Sequence, residues 1–335
     1  MPYIRDIDQD RAALLIRASI QAYNAFDTAH PTTCYGGRVT CPDGFEFVEC
    51  WTGVDEVIYK STEIYGIVLR SISAPYTYIF AFCGTWSYDD IVVDLEEIFY
   101  EQSAFVPFGQ STPPVTEAKV AAGFWSAYTA SSGMAKPMQQ QLFDLIGKYQ
   151  SSGKPIAELY ITGHSLGAAL CELFTLDVAL AKPPFKTFTY NYACPPLGGQ
   201  AFVDFYDRQP AQKDPNTRTV RIQNTYDYVP CLGLGLGWDY THVPYAYLIA
   251  FHYGRDWEVH PVVNHSAEGY RAVMDCAFAS PTGYCLGRPS FRDGSKLYQV
   301  LSVEPNPSTV CDFWPEQKKM RAAALESKAT ETAAY

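Results

Sequence analysis

The sequence predicts an α/β fold with a mostly parallel central sheet that is covered by helices on both faces. Segments with the apolar pattern of buried strands alternate along the chain with segments of helical periodicity. One strand-like run also leads directly into Gly163-His-Ser165-Leu-Gly167 and then into a helix-forming run. That order is typical of a tight strand-to-helix turn in such a sheet. The 335 residues, 47% of them hydrophobic, suffice for one large core.

The predicted elements follow in order along the chain. Residues 10–26 have apolar side chains at helical spacing, whereas residues 31–53 are rich in Gly, Pro and Cys and are predicted to be a loop. The other predictions are strands at 65–72, 76–82, 157–162, 185–193 and 218–224, helices at 138–149, 165–181 and near 199–207, and a loop at 102–114. We therefore expect a single domain over residues 1–310, followed by a tail or surface helix at 311–335, where composition changes to alanine and charged residues.

Charge and hydropathy narrow the classes of partner. The net charge of −11 argues against nucleic acid as a ligand, because the average surface repels phosphate. No apolar run is long enough to span a bilayer. The first ten residues lack the basic start and apolar block of a secretory signal, so a cytoplasmic location is expected, with secretion as the alternative. The oligomeric state is left open.

The ten cysteines are too sparse for a disulfide-stapled small domain. Three of them lie in apolar, core-like segments: Cys83, Cys171 and Cys194. The cysteines that could form one or two bridges, if the protein is secreted, are Cys34, Cys41, Cys50, Cys276 and Cys285.

The strand-to-helix turn predicts a nucleophilic serine. Ser165 would stand at the tip of the turn, where Gly163 and Gly167 leave room for close packing of helix against strand. The N–H of Leu166 would then lie at the start of a helix and could donate to an anion. An ordinary strand–turn–helix junction with a buried hydroxyl is the alternative interpretation.

A serine nucleophile needs a base, and the base needs an acid that orients it. Asp227 is the candidate acid, because it lies three residues after the strand-like run that ends at Asn224.

The candidate base is His265, close to the start of a helical run that Asn264 could cap. His260 is the second candidate, and His252 reads as a structural histidine within a strand.

These segments together resemble the class 3 (fungal-type) triacylglycerol lipase family, over roughly residues 60–275. The segments that carry the resemblance are Phe80–Leu95, Ala122-Gly123-Phe124 with Tyr128, Gly163–Gly167, Ala193–Gly199 with Phe202, Asn224–Pro230, and His265–Tyr270. Each block is short, but their order and spacing together are specific. Cys83 and Pro196 stand where the family usually has arginine, which indicates a divergent branch.

The resemblance implies an α/β-hydrolase fold and a triacylglycerol lipase that needs neither a metal nor an organic cofactor. It implies that Ser165 is the nucleophile, Asp227 the orienting acid and His265 the general base. The backbone N–H groups of Thr85 and Leu166 would form the oxyanion hole. The substrate would be a lipid or another ester, met at an oil–water interface if the enzyme is a true lipase.

The resemblance also implies a helical lid after the oxyanion strand, in the amphiphilic segment 86–100, with Trp86, Tyr88 and Ile91 on its apolar side. An ordinary amphipathic surface helix is the alternative for this segment.

Other functions remain open at this stage. The same triad would serve an esterase for short-chain, feruloyl or phospholipid esters, and a lipase-like fold could also act as a non-catalytic binding protein. A zinc or calcium site formed by His252, Asp256 and His260 is a remote alternative.

Overall fold

The architecture comes from a computed structural model, which describes residues 4–55, 61–84, 98–99, 101–132, 135–233, 240–253, 263–280, 285 and 290–302. Several predictions fall outside these residues: the oxyanion role of Thr85, the lid residues Trp86, Tyr88 and Ile91, the metal candidates Asp256 and His260, and the tail 311–335.

The strands of the described residues form two sheets. In chain order they are β1 (Phe45–Asp55), β2 (Ser61–Ser71), β3 (Thr77–Phe82), β4 (Gln102–Ala104), β5 (Lys119–Ala121), β6 (Glu158–His164), β7 (Lys186–Tyr192), β8 (Gly198–Gly199), β9 (Val220–Asn224), β10 (Tyr240–Thr241), β11 (Ala246–His252), β12 (Ser290–Asp293) and β13 (Lys296–Ser302). The large sheet has the order β1-β2-β3-β6-β7-β9-β11-β13-β12, and the small sheet has the order β10-β8-β5-β4.

The centre of the large sheet is parallel. Strands β3, β6, β7, β9 and β11 run in one direction, with Phe82 opposite Gly163 and His164 opposite Tyr192 in register. The flanking strands β1 and β2 on one side, and β13 and β12 on the other, pair antiparallel. Parallel strands bring their carboxyl ends to one edge, which is where ligands bind in open α/β sheets.

Helices cover both faces of the large sheet. They are α1 (Gln9–Asn24), α2 (Ala122–Thr129), α3 (Met138–Gln150), α4 (Leu166–Ala181), α5 (Gln200–Asp207), α6 (Pro210–Lys213) and α7 (Ala267–Phe278). Alternate side chains of β2 show the two faces: Val68 packs into the core beneath α2, α3 and α4, whereas Ile67 and Leu69 pack with α1 and α7. The predicted fold class is therefore confirmed.

The predicted loop 31–53 is wrong over its last part, which forms the start of β1. The Gly, Pro and Cys content that predicted the loop comes mostly from the residues before this strand, whereas the strand itself depends on pairing with β2. The strand is stabilised by distant partners: it pairs with β2, and the ring of Trp51 lies 5.0 Å from that of Phe82. Similarly, residues 102–104 of the other predicted loop form β4, paired with β5.

Disulfide bonds join Cys34 to Cys50 and Cys276 to Cys285. Cys231 is also disulfide-bonded. The free cysteines of the described residues are Cys41, Cys83, Cys171 and Cys194, and the last three are buried as predicted. Among the described residues, none of the helices is both long and apolar enough to cross a membrane.

Candidate active site

Ser165 occupies a strained turn between β6 and α4. Its backbone has φ 62° and ψ −131°, a conformation that L-residues rarely adopt. Its N–H donates to the carbonyl of Tyr192 on the neighbouring strand, at 3.0 Å. A Cβ built on Gly163 would lie 2.3 Å from the carbonyl oxygen of Gly167, and one on Gly167 would lie 2.7 Å from that of Cys83. Glycine at both positions therefore lets α4 pack directly against β6 and the end of β3.

The hydroxyl of Ser165 is buried and has no hydrogen-bond partner among the described residues. Leu166 follows it as the first residue of a helix of 16 residues, so free backbone donors and the positive end of the helix dipole lie at the hydroxyl. Gly84 lies on the other side, since a Cβ there would be 3.1 Å from Cβ of Ser165. The end of β3 thus reaches the serine, and residue 85 lies outside the described residues.

Asp227 lies in a turn directly after β9, where it is fully buried. Its Oδ1 accepts a hydrogen bond from the N–H of Val229 at 2.9 Å. Its Oδ2 lies 2.8 Å from Nδ1 of His265 and accepts a second hydrogen bond, also of 2.8 Å, from the hydroxyl of Tyr270. Burial, and then the charge of Asp227, raise the pKa of Tyr270 well above its usual value, so this phenol remains a donor.

His265 has a defined tautomer in this arrangement. A carboxylate can only accept, so the proton of the neutral imidazole is on Nδ1, which leaves the lone pair on Nε2. Nε2 is buried and has no hydrogen-bond partner among the described residues. An imidazole in this state can take a proton from a hydroxyl placed next to it.

Helix α7 begins after His265, but its N-cap is Ser266 rather than the predicted Asn264. The hydroxyl oxygen of Ser266 accepts from the N–H of Gly269 at 3.0 Å. Asn264 instead makes hydrogen bonds to Tyr253 and Tyr226, away from the helix.

His164 links the turn at Ser165 to His265. Its ring centroid lies 4.5 Å from that of His265, at an interplanar angle of 34°. Its Nδ1 is 3.0 Å from the hydroxyl of Tyr23 on α1. Burial, and next the charge of His265, lower the pKa of His164 well below its usual value, so it stays neutral. Sequence reasoning missed Tyr23, because nothing in an amphipathic helix 141 residues away marks one tyrosine as a contact of the site.

Two further histidines of the described residues have other partners. Nε2 of His242 is 2.7 Å from the carbonyl oxygen of Pro230, and its imidazole is buried. His252 packs edge-to-face against the ring of Tyr226, in agreement with the structural role predicted for it. His260 lies outside the described residues.

The structure therefore brings a buried serine, histidine and aspartate to the carboxyl edge of the sheet. Asp227 and His265 are in direct contact, and the ring of His164, the residue before Ser165, lies against His265. Such a set can turn a serine hydroxyl into a nucleophile. Among the described residues, no group of acidic, histidine or cysteine side chains has the geometry of a metal site.

Comparison with known proteins gives consistent matches. The family model described as lipase (class 3) matches residues 79–234. A lipase from Rhizopus niveus is 25% identical over 237 residues, which cover 68% of this chain and 55% of the relative. The chain thus spans about half the length of the curated relatives that it matches most fully.

Two solved structures show the same fold. The triacylglyceride lipase of Rhizomucor miehei has a TM-score of 0.50 and 22% identity, over 73% of this chain and 82% of that one. A nonglycosylated lipase from Yarrowia lipolytica has a TM-score of 0.53 and 18% identity, over 77% of this chain and 84% of the other.

Proposed function

We propose that the chain is a member of the class 3 lipase family, whose model matches residues 79–234, and that it is a serine carboxylic ester hydrolase that acts on triacylglycerols. The observation that carries the proposal is the buried contact of 2.8 Å between His265 Nδ1 and Asp227 Oδ2. The ring of His265 also lies against that of His164, the residue before the serine of the strained strand-to-helix turn. We assign this activity to a single domain of residues 1–310.

In the proposed reaction, Nε2 of His265 takes the proton of Ser165 as the serine oxygen attacks the ester carbonyl. Asp227 holds the imidazole and stabilises its positive charge. The alcohol leaves with the proton from His265, and water, activated by the same histidine, then releases the fatty acid from the acyl-enzyme. No step in this sequence calls for a metal or an organic cofactor.

We propose that the oxyanion is held by the N–H groups of Leu166 and Thr85. The position of Leu166 at the start of α4 supports the first donor. The closeness of Gly84 to Ser165 supports the second, since a Cβ built on Gly84 would lie 3.1 Å from Cβ of Ser165 and Thr85 is the next residue in the chain. Each such donor is worth about 3–4 kcal/mol in the transition state. A lid role for Trp86, Tyr88 and Ile91 stays a prediction.

The test is hydrolysis of p-nitrophenyl esters from acetate to palmitate, and of a triacylglycerol emulsion. Wild type, Ser165→Ala and the exposed control Ser151→Ala would be compared. We expect Ser165→Ala to lose about 10⁴-fold or more in kcat, because Ser and His act as one unit, and the control to keep full activity. A preference for long chains and for the emulsion indicates a lipase, and activity on short soluble esters alone indicates an esterase. Equal rates for wild type and Ser165→Ala would refute the serine mechanism.

We also propose that the protein works in an oxidising compartment, in place of the cytoplasm expected from the N-terminal residues. The two bridges, Cys34–Cys50 and Cys276–Cys285, support this, because structural disulfides are rare where thiols are kept reduced. Protein isolated from its natural source would be alkylated without reduction and mapped by peptide mass. Cysteines 34, 50, 276 and 285 should resist alkylation. Recovery of all four as alkylated thiols would overturn the proposal.

A further inference from the structure

Two fully buried asparagines join the turn that carries Asp227 to the segment that carries His265. We propose that Asn224 and Asn264 are positioning residues, whose side-chain amides hold the acid and the base in register. Asn224 stands three residues before Asp227, and Asn264 stands directly before His265. This inference deepens the proposed function, on which its kinetic part rests.

The side chain of Asn224 replaces the backbone hydrogen bonds of β9 at the point where this strand ends. Its Cα is opposite Ile249 in the parallel ladder, and the chain then turns away towards Asp227. The neighbouring strand β11 continues past this point. The N–H and carbonyl of Phe251, which point towards β9, therefore have no backbone partner in β9. The Asn224 side chain supplies one: Nδ2 donates to the Phe251 carbonyl at 2.9 Å, and Oδ1 accepts from the Phe251 N–H at 3.0 Å. The amide thus replaces a peptide group at the end of the ladder.

The same amide reaches both catalytic segments. Nδ2 of Asn224 also donates to the carbonyl of Asn264 at 3.1 Å, and Oδ1 accepts from the N–H of Tyr226 at 3.4 Å. The backbone N–H of Asn224 donates to the hydroxyl of Tyr270 at 2.9 Å, and that hydroxyl donates to Asp227. Asn224 therefore contacts the turn that carries Asp227, the segment that carries His265, and Tyr270, whose hydroxyl donates to Asp227.

Asn264 makes the reciprocal connection. Its Oδ1 accepts from the N–H of Tyr253, just beyond β11, at 2.9 Å. Its Nδ2 lies 3.4 Å from the carbonyl oxygen of Tyr226, in the acid turn. The His265 segment is thus tied to the sheet and to the acid turn, although His265 is 38 residues from Asp227 in the chain.

Only a neutral group that both donates and accepts fits these two places. Each amide faces at least one carbonyl oxygen and at least one N–H. An aspartate of the same shape would put a carboxylate oxygen against a carbonyl oxygen in a buried site, where an unpaired charge is costly. The contact of His265 with Asp227 would then have to shift, and small displacements of reacting groups slow catalysis strongly.

The experiment compares Asn224→Asp and Asn264→Asp with wild type and with Gln212→Glu. Gln212 is a matched control: it is another buried amide, bonded to the N–H and the hydroxyl of Thr219, and it contacts neither Asp227 nor His265. One readout is kcat and KM for a soluble p-nitrophenyl ester. The second readout is the downfield proton resonance of Nδ1–H of His265, identified by its loss in Asp227→Asn. Thermal unfolding is recorded for every variant.

We expect both asparagine variants to lose about 10–100-fold in kcat with little change in KM, and to lose or shift the downfield resonance. Gln212→Glu should lower only the unfolding temperature. Wild-type kcat and an unchanged resonance in both asparagine variants would overturn the inference, whatever their stability. If the aspartate variants do not fold, Asn264→Ser is measured in their place under the same criteria.

The resonance also separates this inference from the proposed function, because it is recorded without substrate. Absence of Ser165-dependent hydrolysis in wild type would refute the proposed function. The resonance of His265 Nδ1–H in the variants would still show whether Asn224 and Asn264 position the histidine. Intact hydrolysis with an unaltered resonance in the variants would refute only the positioning role.

Discussion

The carboxylate of Asp227 is buried without a cationic side chain beside it among the described residues, and three hydrogen bonds stabilise it there. They come from Val229 N–H, from His265 and from the hydroxyl of Tyr270. Donation to a charged group is stronger than donation between neutral groups. The phenol therefore shares the negative charge of the acid with the imidazole, and it influences how strongly Asp227 stabilises a protonated His265.

Tyr270→Phe tests this balance. The substitution removes one donor to Asp227 and leaves the N–H of Asn224 without its acceptor, so we expect the free energy of unfolding to fall by about 1–3 kcal/mol. Without the phenol, the negative charge of Oδ2 of Asp227 is less neutralised and interacts more strongly with His265. The acid limb of kcat/KM against pH should therefore move to higher pH.

Tyr192→Phe is the matched control, since its hydroxyl is also buried but donates to the carbonyl of Ala12. It should lower stability without moving the pH profile. Coincident profiles for both variants and wild type would show that Tyr270 does not tune the acid.

At the scale of elements, the turn between β6 and α4 depends on close backbone approach. A Cβ on Gly163 would meet the backbone of Gly167, and a Cβ on Gly167 would meet the backbone at the end of β3, so neither glycine has space for a methyl group. The sequence signal was strong here, because such a turn requires small residues at fixed offsets from the serine. Gly147 on α3 differs, since a Cβ built on it would have no atom within 4 Å.

Substitution by alanine should therefore lower the free energy of unfolding at Gly163 and raise it at Gly147. Gly163→Ala puts a methyl group 2.3 Å from a backbone oxygen, so α4 must move away from β6. We expect a loss of about 3 kcal/mol in the free energy of unfolding and of about 100-fold in kcat as Ser165 is displaced.

Gly147 occupies an exposed position on α3, so Gly147→Ala should stabilise the protein by about 0.5–1 kcal/mol and leave kcat unchanged. Urea denaturation and initial rates measure both variants. A neutral Gly163→Ala would contradict the packing described for the turn.

At the scale of the whole molecule, the interior also contains ionisable groups that take no part in the proposed reaction, and Glu172 is one of them. Glu172 on α4 is fully buried and accepts from Nδ2 of Asn191 at 3.0 Å. Burial raises its pKa to about 7, although the positive charge of Arg221 opposes the shift. The native protein therefore keeps a proton on Glu172 that the unfolded chain, with a pKa of 4.5, releases. Stability from this group is lost as pH rises from about 4.5 through about 7.

Glu172→Gln should remove that pH dependence. Glutamine resembles the protonated acid and keeps the acceptor for Asn191, so the variant should match wild type near pH 4.5. Above the native pKa it should be more stable by about 1–3 kcal/mol, because a tenfold change in proton affinity is worth about 1.4 kcal/mol.

Urea denaturation across this pH range measures the effect, with the exposed Glu117→Gln as control. An equal pH dependence in Glu172→Gln and wild type would show that Glu172 does not hold its proton in the native state.

Residue patterns alone identified the features that depend on local chemistry. The turn at Ser165 is set by two glycines, and Asp227 lies three residues after the end of a buried strand. The alternation of strands and helices led to the fold class, because side-chain periodicity reports which face of each element is buried. The family resemblance then indicated the same acid and base, Asp227 and His265.

Only the tertiary structure decided the features that depend on distant contacts. Strand β1 exists because β2 pairs with it, and Asn264 serves the acid turn because β9 ends beside it, so Ser266 caps the helix instead. Tyr23 reaches His164 across 141 residues of chain. Periodicity and spacing describe a residue by its neighbours in the chain, whereas a buried amide or phenol takes its role from whichever backbone the fold places against it.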